Sequence, residues 1–202
     1  MMKHFGYGNA LAVPKIQKVV LNTGLSKSLT DKRFADIAMR TLTRISGQKP
    51  VPTKAKKSIA NFKIREGMMI GAMVTLRGSR MYDFLDKLVN VAFPRMRDFH
   101  GLDPKKGFDK HGNWAVGFRE HIVFPEIASD EIENIHGLEV AVNTTATNRD
   151  EALFLLQSFG FPFKMGDPST RRAKLDFAQG YFRSRHSPRI RGGSGDENKK
   201  GS

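Results

Sequence analysis

Alternating apolar and polar residues between Met69 and Arg77 predict a β-strand. Because successive side chains of a strand point to opposite faces, one face carries Ile70, Ala72, Val74 and Leu76, and the other carries Met73, Thr75 and Arg77. Further strands are predicted at 16–21, 114–119, 121–124 and 140–145, and the first of these ends in a turn at residues 22–24.

Apolar residues at helical spacing predict four helices between these strands. The stripe from Phe34 to Ile45 forms the first helix, with Thr30 as its N-cap, and the second runs from Ser79 to Pro94. A short helix follows Ser129, and Asn148 with Glu151 forms a capping-box-like start for the last. The order of elements predicts an α+β domain over residues 1–166. Its sheet is mixed but mainly antiparallel, its helices pack on one face, and the other face is open.

The hydrophobic periodicity stops after Lys164. Residues 167–202 hold nine basic and four acidic residues, and they end in a Gly/Ser-rich stretch. Such a segment buries too little apolar surface to offset its ordering entropy, so we predict a flexible basic C-terminal extension.

Charge decides what class of partner this domain has. Lys and Arg number 34 against 20 Asp and Glu, which gives a formal net charge of +14. Nucleic acid is the expected polyanionic partner. A membrane surface is the rival explanation, but no amphipathic basic helix, long apolar run, lipidation signal or targeting peptide is visible, and no membrane partner is predicted.

The sequence offers no catalytic site, cofactor site or metal site. Cys is absent, and the six His show no metal-ligand spacing, so we expect them at the surface or facing RNA. Asp83 and Asp86 fit a solvated helix face better than a pair of catalytic carboxylates, and the glycines at 67, 71 and 78 form no phosphate-binding fingerprint. An enzyme is therefore not expected, and neither a cofactor nor a metal is predicted.

The densest positive charge lies between Gln48 and Arg80, where Glu66 is the only acid. Eight basic residues are interleaved there with polar and aromatic ones that suit contacts to phosphates, 2′-hydroxyls and splayed bases. The alternative is an ordinary solvated charge run. Within the segment, residues 65–71 are predicted to form a flexible tip with Met68 exposed and Ile70 entering the core. The basic residues are Lys49, Lys54, Lys56, Lys57, Lys63, Arg65, Arg77 and Arg80.

Six stretches of the chain resemble the bacterial-type large-subunit ribosomal protein L5 family, which binds 5S ribosomal RNA (rRNA). They are VPKIQKVVLNTGL (13–25), ISGQKPVPTKAKKSIANFKIREGMMIG (45–71), VTLRG (74–78), PRMRDFHGL (94–102), GNWAVGFREHIVFPEI (112–127) and FGFPFK (159–164). They occur in order and cover roughly residues 5 to 164.

The resemblance implies a concave sheet that grips 5S rRNA in the central protuberance of the large subunit, beside large-subunit rRNA and neighbouring 5S-binding proteins. The implied rRNA contacts are Asn22, Gln48, Lys49, Lys54, Lys56, Lys57, Phe62, Thr75 and Arg77. The implied loop toward the peptidyl-site transfer RNA (tRNA) spans residues 59–71 and includes Lys63, Arg65, Gly67 and Met68. An arm with Phe108, Lys110 and Asn113 corresponds to the part that approaches a small-subunit head protein as an intersubunit bridge.

Two departures from the family pattern are expected to matter. Family members carry an additional N-terminal helix before the equivalent of Phe5, and residues 167–202 extend beyond the point where many members stop. We expect this extension to make further rRNA contacts. The main hypothesis is a ribosomal protein of the bacterial cytoplasm, with an organellar ribosome as the alternative location. A free-standing RNA chaperone is the competing function.

Overall fold

The computed structural model describes residues 1–25, 32–97, 99–127 and 135–164. Five strands and five α-helices form in these parts of the chain. In chain order they are α1 (Met2–Phe5), β1 (Ile16–Gly24), α2 (Lys32–Ser46), β2 (Val51–Lys54), β3 (Met69–Leu76), α3 (Gly78–Lys87), α4 (Phe93–Arg95), β4 (Trp114–Phe118), β5 (Leu138–Thr144) and α5 (Arg149–Ser158). The predictions for Thr30, Ser129 and residues 167–202 lie outside the described residues.

The five strands form one sheet in the order β2-β3-β1-β5-β4. All four strand pairings are antiparallel, and β1 lies at the centre with Leu21 opposite both Val74 and Val140. The α+β prediction with a mainly antiparallel sheet is therefore confirmed.

One face of the sheet is buried against the helices. Alternate residues of the strands point to it because of the two-residue side-chain period. Val19 and Leu21 are fully buried there, and the apolar stripes of α2, α3 and α5 pack against the same core. These stripes contribute Leu42, Leu85 and Leu156, so the predicted core faces of the three helices are confirmed.

Three local predictions are wrong. β1 continues through the turn predicted at residues 22–24, since it is paired on both sides as far as Asn22. Residues His121–Val123 form a 3-10 turn instead of a strand. Pro94 does not end the second helix, because a π-helical segment at Leu88–Ala92 places the proline within the first turn of α4, where no backbone N–H is required.

The two edges of the sheet are protected differently. β2 forms one edge and contains Pro52, which has no backbone N–H to offer. β4 forms the other edge, where Ala115 N donates to the carbonyl of Gly107 at 2.8 Å and Phe108 bridges to Trp114. The second edge is thus partly covered by the chain itself.

Candidate nucleic-acid interface

The second face of the sheet, called here the open face, carries side chains that are exposed or half-buried. A row of directly opposed residues crosses it from β2 to β4. On β4 and β5 the face carries small residues, including Ala115 and Ala141, so an RNA backbone or a base has room to approach the sheet there. The row consists of Val51, Met73, Asn22, Glu139 and Gly117.

Two predicted rRNA contacts, Asn22 and Thr75, lie on the open face. Asn22 is exposed at the centre of the row, and Thr75 is half-buried opposite Val20. Gly71 is needed for close packing on this face. A Cβ atom at that position would lie 2.6 Å from Thr53 Oγ1 and 2.9 Å from the carbonyl oxygen of Thr23.

The chain between β2 and β3 forms a hydrogen-bonded excursion, called here the β2–β3 hairpin (residues 55–68). Ala55 N donates to the carbonyl of Met68 at 2.8 Å, and further out Glu66 N donates to Ser58 Oγ at 3.0 Å. Reciprocal bonds of 2.9 and 3.1 Å join Ile59 to Ile64 near the end. The hairpin is therefore organised along its length by its own hydrogen bonds.

The tip of this hairpin lies at residues 60–63, so the prediction of a tip at 65–71 is wrong. A 3-10 turn at Ala60–Phe62 leads into Lys63, which has a left-handed backbone with φ 54°. Phe62 is 66% exposed, an unusual position for a large aromatic side chain. Residues 65–68 belong to the returning limb, and Gly67 provides its positive φ of 81°.

Two apolar side chains, one at the end of this limb and one in β3, differ in part from the exposure predicted for them. Met68 is half-buried rather than exposed, and its sulfur accepts a hydrogen bond from the backbone N–H of Arg65 at 3.1 Å. Ile70 is half-buried at the start of β3. The polarisable thioether thus stabilises the base of the hairpin.

The predicted cations are all exposed, and five of them lie along β2 and the hairpin: Lys54, Lys56, Lys57, Lys63 and Arg65. Lys49 and Gln48 follow the C-terminal end of α2, with Gln48 half-buried, and Arg77 follows β3. None of the eight basic residues between 48 and 80 forms an ion pair with any described residue. Their charges therefore remain available to an external polyanion.

The bridge arm predicted near Phe108 to Asn113 is the last part of a loop at residues 99–113, called here the 99–113 arm, and side chains hold it to the domain. Phe108 is half-buried and stacks on Phe163 with ring centroids 5.8 Å apart. The Asn113 side-chain oxygen accepts a hydrogen bond from Thr144 N at 3.1 Å. Lys110 is exposed, so of the three predicted arm residues it alone is presented freely to a partner.

A carboxylate organises the end of this arm. Asp109 accepts hydrogen bonds from the backbone N–H groups of His111 and Asn113 at 2.9 and 2.7 Å, and from Asn113 Nδ2 at 2.7 Å. Partial desolvation raises the pKa of Asp109, but these hydrogen bonds outweigh it and hold the pKa below its ordinary value. The acid is thus occupied internally, while Lys110 beside it stays exposed.

Two histidines contradict the expectation of a surface or RNA-facing position. His121 and His136 are buried, and their rings stack with centroids 4.1 Å apart. His136 Nδ1 lies 3.2 Å from Thr23 Oγ1, on the core side of β1. Burial, with a smaller contribution from His121, lowers the pKa of His136 to about 4, so this ring is neutral at pH 7.

The described residues include no group of three or more His, Cys, Asp or Glu that could hold a metal ion. None of the helices described is long and apolar enough to cross a membrane. Asp83 and Asp86 are exposed on α3, in agreement with the solvated face predicted for them.

Sequence reasoning did not single out several residues of the open face, among them Lys18, Val51 and Glu139. Their positions follow from register: Lys18 shares its side of β1 with Asn22, and Val51 and Glu139 lie in the row that crosses Asn22. The alternation within β5 was visible in the sequence, but its pairing with β1 was not.

Family models and curated relatives match most of this chain. The family model described as ribosomal protein L5 matches residues 9–65, and the model that describes the C-terminus of the same ribosomal family matches residues 69–163. The chain is 52% identical over 164 residues to the large ribosomal subunit protein uL5 of Cupriavidus metallidurans, and equally to that of Herpetosiphon aurantiacus. Each alignment covers 81% of this chain and 91% of the relative.

Proposed function

This chain belongs to the ribosomal protein L5 family, and from that premise we propose that it binds 5S rRNA in the central protuberance. Membership makes it a structural constituent of the large ribosomal subunit, which in bacteria lies in the cytoplasm, and not an enzyme. The proposed interface is the open face of the sheet together with the β2–β3 hairpin.

The observation that carries the proposal is the combination of an uncovered sheet face with exposed cations around it. Asn22 and Thr75 supply hydrogen-bonding groups on the face, while Lys54, Lys56 and Lys57 lie along the adjoining strand and hairpin. Phosphate contacts by lysine and arginine supply sequence-independent affinity, and contacts to bases and 2′-hydroxyls supply selectivity. The two kinds of group adjoin one another here, as an RNA interface requires.

We further propose that the end of the β2–β3 hairpin reaches the peptidyl-site tRNA. Lys63 is presented at its tip, and Arg65 is exposed on the returning limb beside Gly67 and Met68. Exposed cations suit contacts with the phosphates of this second RNA, while the exposed ring of Phe62 stays a proposed 5S rRNA contact. The hydrogen bonds along the hairpin hold these groups away from the sheet, so one protein can contact two RNAs.

The 99–113 arm is proposed to contact a small-subunit head protein as an intersubunit bridge. Lys110 projects from a turn that Asp109 and Asn113 hold rigidly, which lowers the entropy lost on binding. Phe108 supports the arm by stacking on Phe163 and does not itself face the partner.

Residues 167–202 are proposed to add contacts to large-subunit rRNA near neighbouring 5S-binding proteins, because nine basic against four acidic residues give them a net charge of +5.

The proposal is tested by measuring 5S rRNA affinity of the full chain and of Thr75→Glu. A carboxylate at Thr75 faces incoming phosphates, so the dissociation constant should rise at least about tenfold. Thr43→Glu is the matched control, since Thr43 is exposed on α2 and the same charge is introduced there. Equal affinities of Thr75→Glu and Thr43→Glu, or no preference of the parent chain for 5S rRNA over an unrelated RNA of equal length, would contradict the proposal.

A further inference from the structure

A single carboxylate lies among the strand residues that form the open face in the described parts of the chain. Glu139 of β5 is exposed and directly opposite both Asn22 of β1 and Gly117 of β4. The Asn22 amide nitrogen donates to Glu139 Oε2 at 3.3 Å. An isolated acid on a surface that attracts phosphates opposes RNA binding, unless RNA offers it hydrogen-bond donors.

The surroundings of Glu139 leave its carboxylate accessible. It makes no ion pair with any described residue, and Asn22 is its only side-chain hydrogen-bond partner among them. Gly117 has no side chain, and nothing lies within 4 Å of the position that a Cβ atom would occupy there. Ala141 and Ala115 form the next row of the same face. A planar ring therefore has space beside the carboxylate.

The Asn22–Glu139 pair offers a specific arrangement of donors and acceptors. The carboxylate has two acceptor oxygens, and the Asn22 amide retains one N–H beyond the one it donates to Glu139. The Watson–Crick edge of guanine presents the complement, with two adjacent donors at N1 and N2 and an acceptor at O6. Cytosine and adenine each present one exocyclic amine beside an acceptor nitrogen, which a carboxylate opposes.

We propose that Asn22 and Glu139 form a base-reading site for the Watson–Crick edge of an unpaired guanine in the bound RNA. Glu139 accepts from N1–H and N2–H, while Asn22 donates to O6 and fixes the carboxylate orientation. The site rests on the proposed function, since it requires 5S rRNA to occupy the open face. It adds selectivity where the lysines supply only phosphate contacts.

The direction in which one substitution changes the RNA affinity distinguishes this site from an acid that takes no part in binding. Glu139→Gln keeps the shape but replaces an acceptor by a donor, so 5S rRNA affinity should fall about tenfold although the net charge rises by one. Glu66→Gln is the matched control, because Glu66 is an exposed acid in the β2–β3 hairpin. It makes the same charge change, and its affinity should rise slightly. Affinity equal to or tighter than that of the parent chain in Glu139→Gln would overturn the site.

Chemical probing identifies the base. Kethoxal modifies N1 and N2 of unpaired guanine, so one guanine of 5S rRNA should be protected by the parent chain and become reactive with Glu139→Gln. The thermal midpoints of the two proteins should match, since Glu139 is exposed. Protection of a cytosine or adenine from dimethyl sulfate, with no guanine dependent on Glu139, would contradict the inference. If the parent chain itself fails to bind 5S rRNA, the proposed function fails first.

Discussion

The β2–β3 hairpin and the 99–113 arm are both basic excursions from one domain, but they are held in place by different groups. Backbone hydrogen bonds along the hairpin leave most of its side chains unused, and Phe62 is exposed at its tip. The arm relies on side chains, since Phe108 stacks on Phe163 and Asn113 binds β5. The same residue types are therefore left exposed in the hairpin, where we propose recognition of RNA, and hold the chain in place in the arm.

Replacing one glycine in each excursion by alanine should change the stability of the domain by different amounts. Gly112→Ala in the arm should lower the free energy of unfolding by roughly 3 kcal/mol. Its φ is +73°, and a Cβ atom would lie 2.9 Å from Ala146 Cβ and 3.1 Å from the Asn148 carbonyl. Gly67 in the hairpin also has a positive φ, but a Cβ atom added there would meet nothing within 4 Å. Gly67→Ala should therefore lower the free energy of unfolding by about 1 kcal/mol. Urea denaturation measures the free energy of unfolding of both variants. Equal losses would show that the two glycines do not differ in how tightly the chain around them is packed.

Replacing one phenylalanine in each excursion should affect two different properties, stability in the arm and RNA affinity in the hairpin. Phe108→Ala should lower the free energy of unfolding by about 2 kcal/mol, because a half-buried stacked ring is lost. Phe62→Ala should leave stability unchanged and weaken RNA binding by roughly 1–3 kcal/mol if the ring stacks on a base. Denaturation and 5S rRNA titration of both variants measure the two effects. A Phe108→Ala variant with unchanged stability and weakened RNA binding would contradict the structural role given to Phe108.

Lysines of the hairpin and of the arm are expected to differ in how they affect the salt dependence of RNA binding. Replacing Lys56 and Lys57 by Ala should lower the slope of log affinity against log salt by about two, one for each phosphate contact. Replacing Lys105 and Lys106, which are exposed in the arm, removes the same charge and should leave the slope for 5S rRNA unchanged. Equal changes in the two double variants would show that only net charge matters.

The smallest expected effect concerns a residue outside both excursions. Gln48→Ala should weaken 5S rRNA binding by about 1 kcal/mol, the contribution of one hydrogen bond, without unfolding the domain. Gln48 is half-buried, and its backbone groups bond to Ser46. Unchanged affinity, measured by filter binding, would confine recognition to the open face and the hairpin.

The sequence predicted the strands and helices whose periodicity was regular, and it failed where tertiary pairing overrides local preference. Asn22-Thr23-Gly24 is a turn signal, but β3 pairs with all three residues and β5 pairs with Asn22, which keeps this part of the chain extended. Residues 121–124 are β-prone, yet they form a 3-10 turn that buries His121 against His136. A contact between residues 15 positions apart leaves no periodic trace in the sequence.

For the candidate site, the structure agrees with the predicted exposure of the cations but not with the predicted position of the hairpin tip. Charge density pointed to residues 48–80, and all the cations there are exposed. The position of the hairpin tip depends on the pairing of Ile59 with Ile64, which composition does not reveal. The family resemblance implied that Asn113 belongs to a contact arm, but its amide binds Asp109 and Thr144 within the domain.

The proline in edge strand β2 has a consequence for the chain before it meets RNA. Among the described residues β2 is the last strand of the sheet, so before RNA is bound another copy of the chain could extend this edge by strand addition. Pro52 removes one backbone donor from that edge, and Lys54 adds repulsion between copies. The same four-residue strand that leads into the hairpin thus limits self-association during the interval between synthesis and assembly.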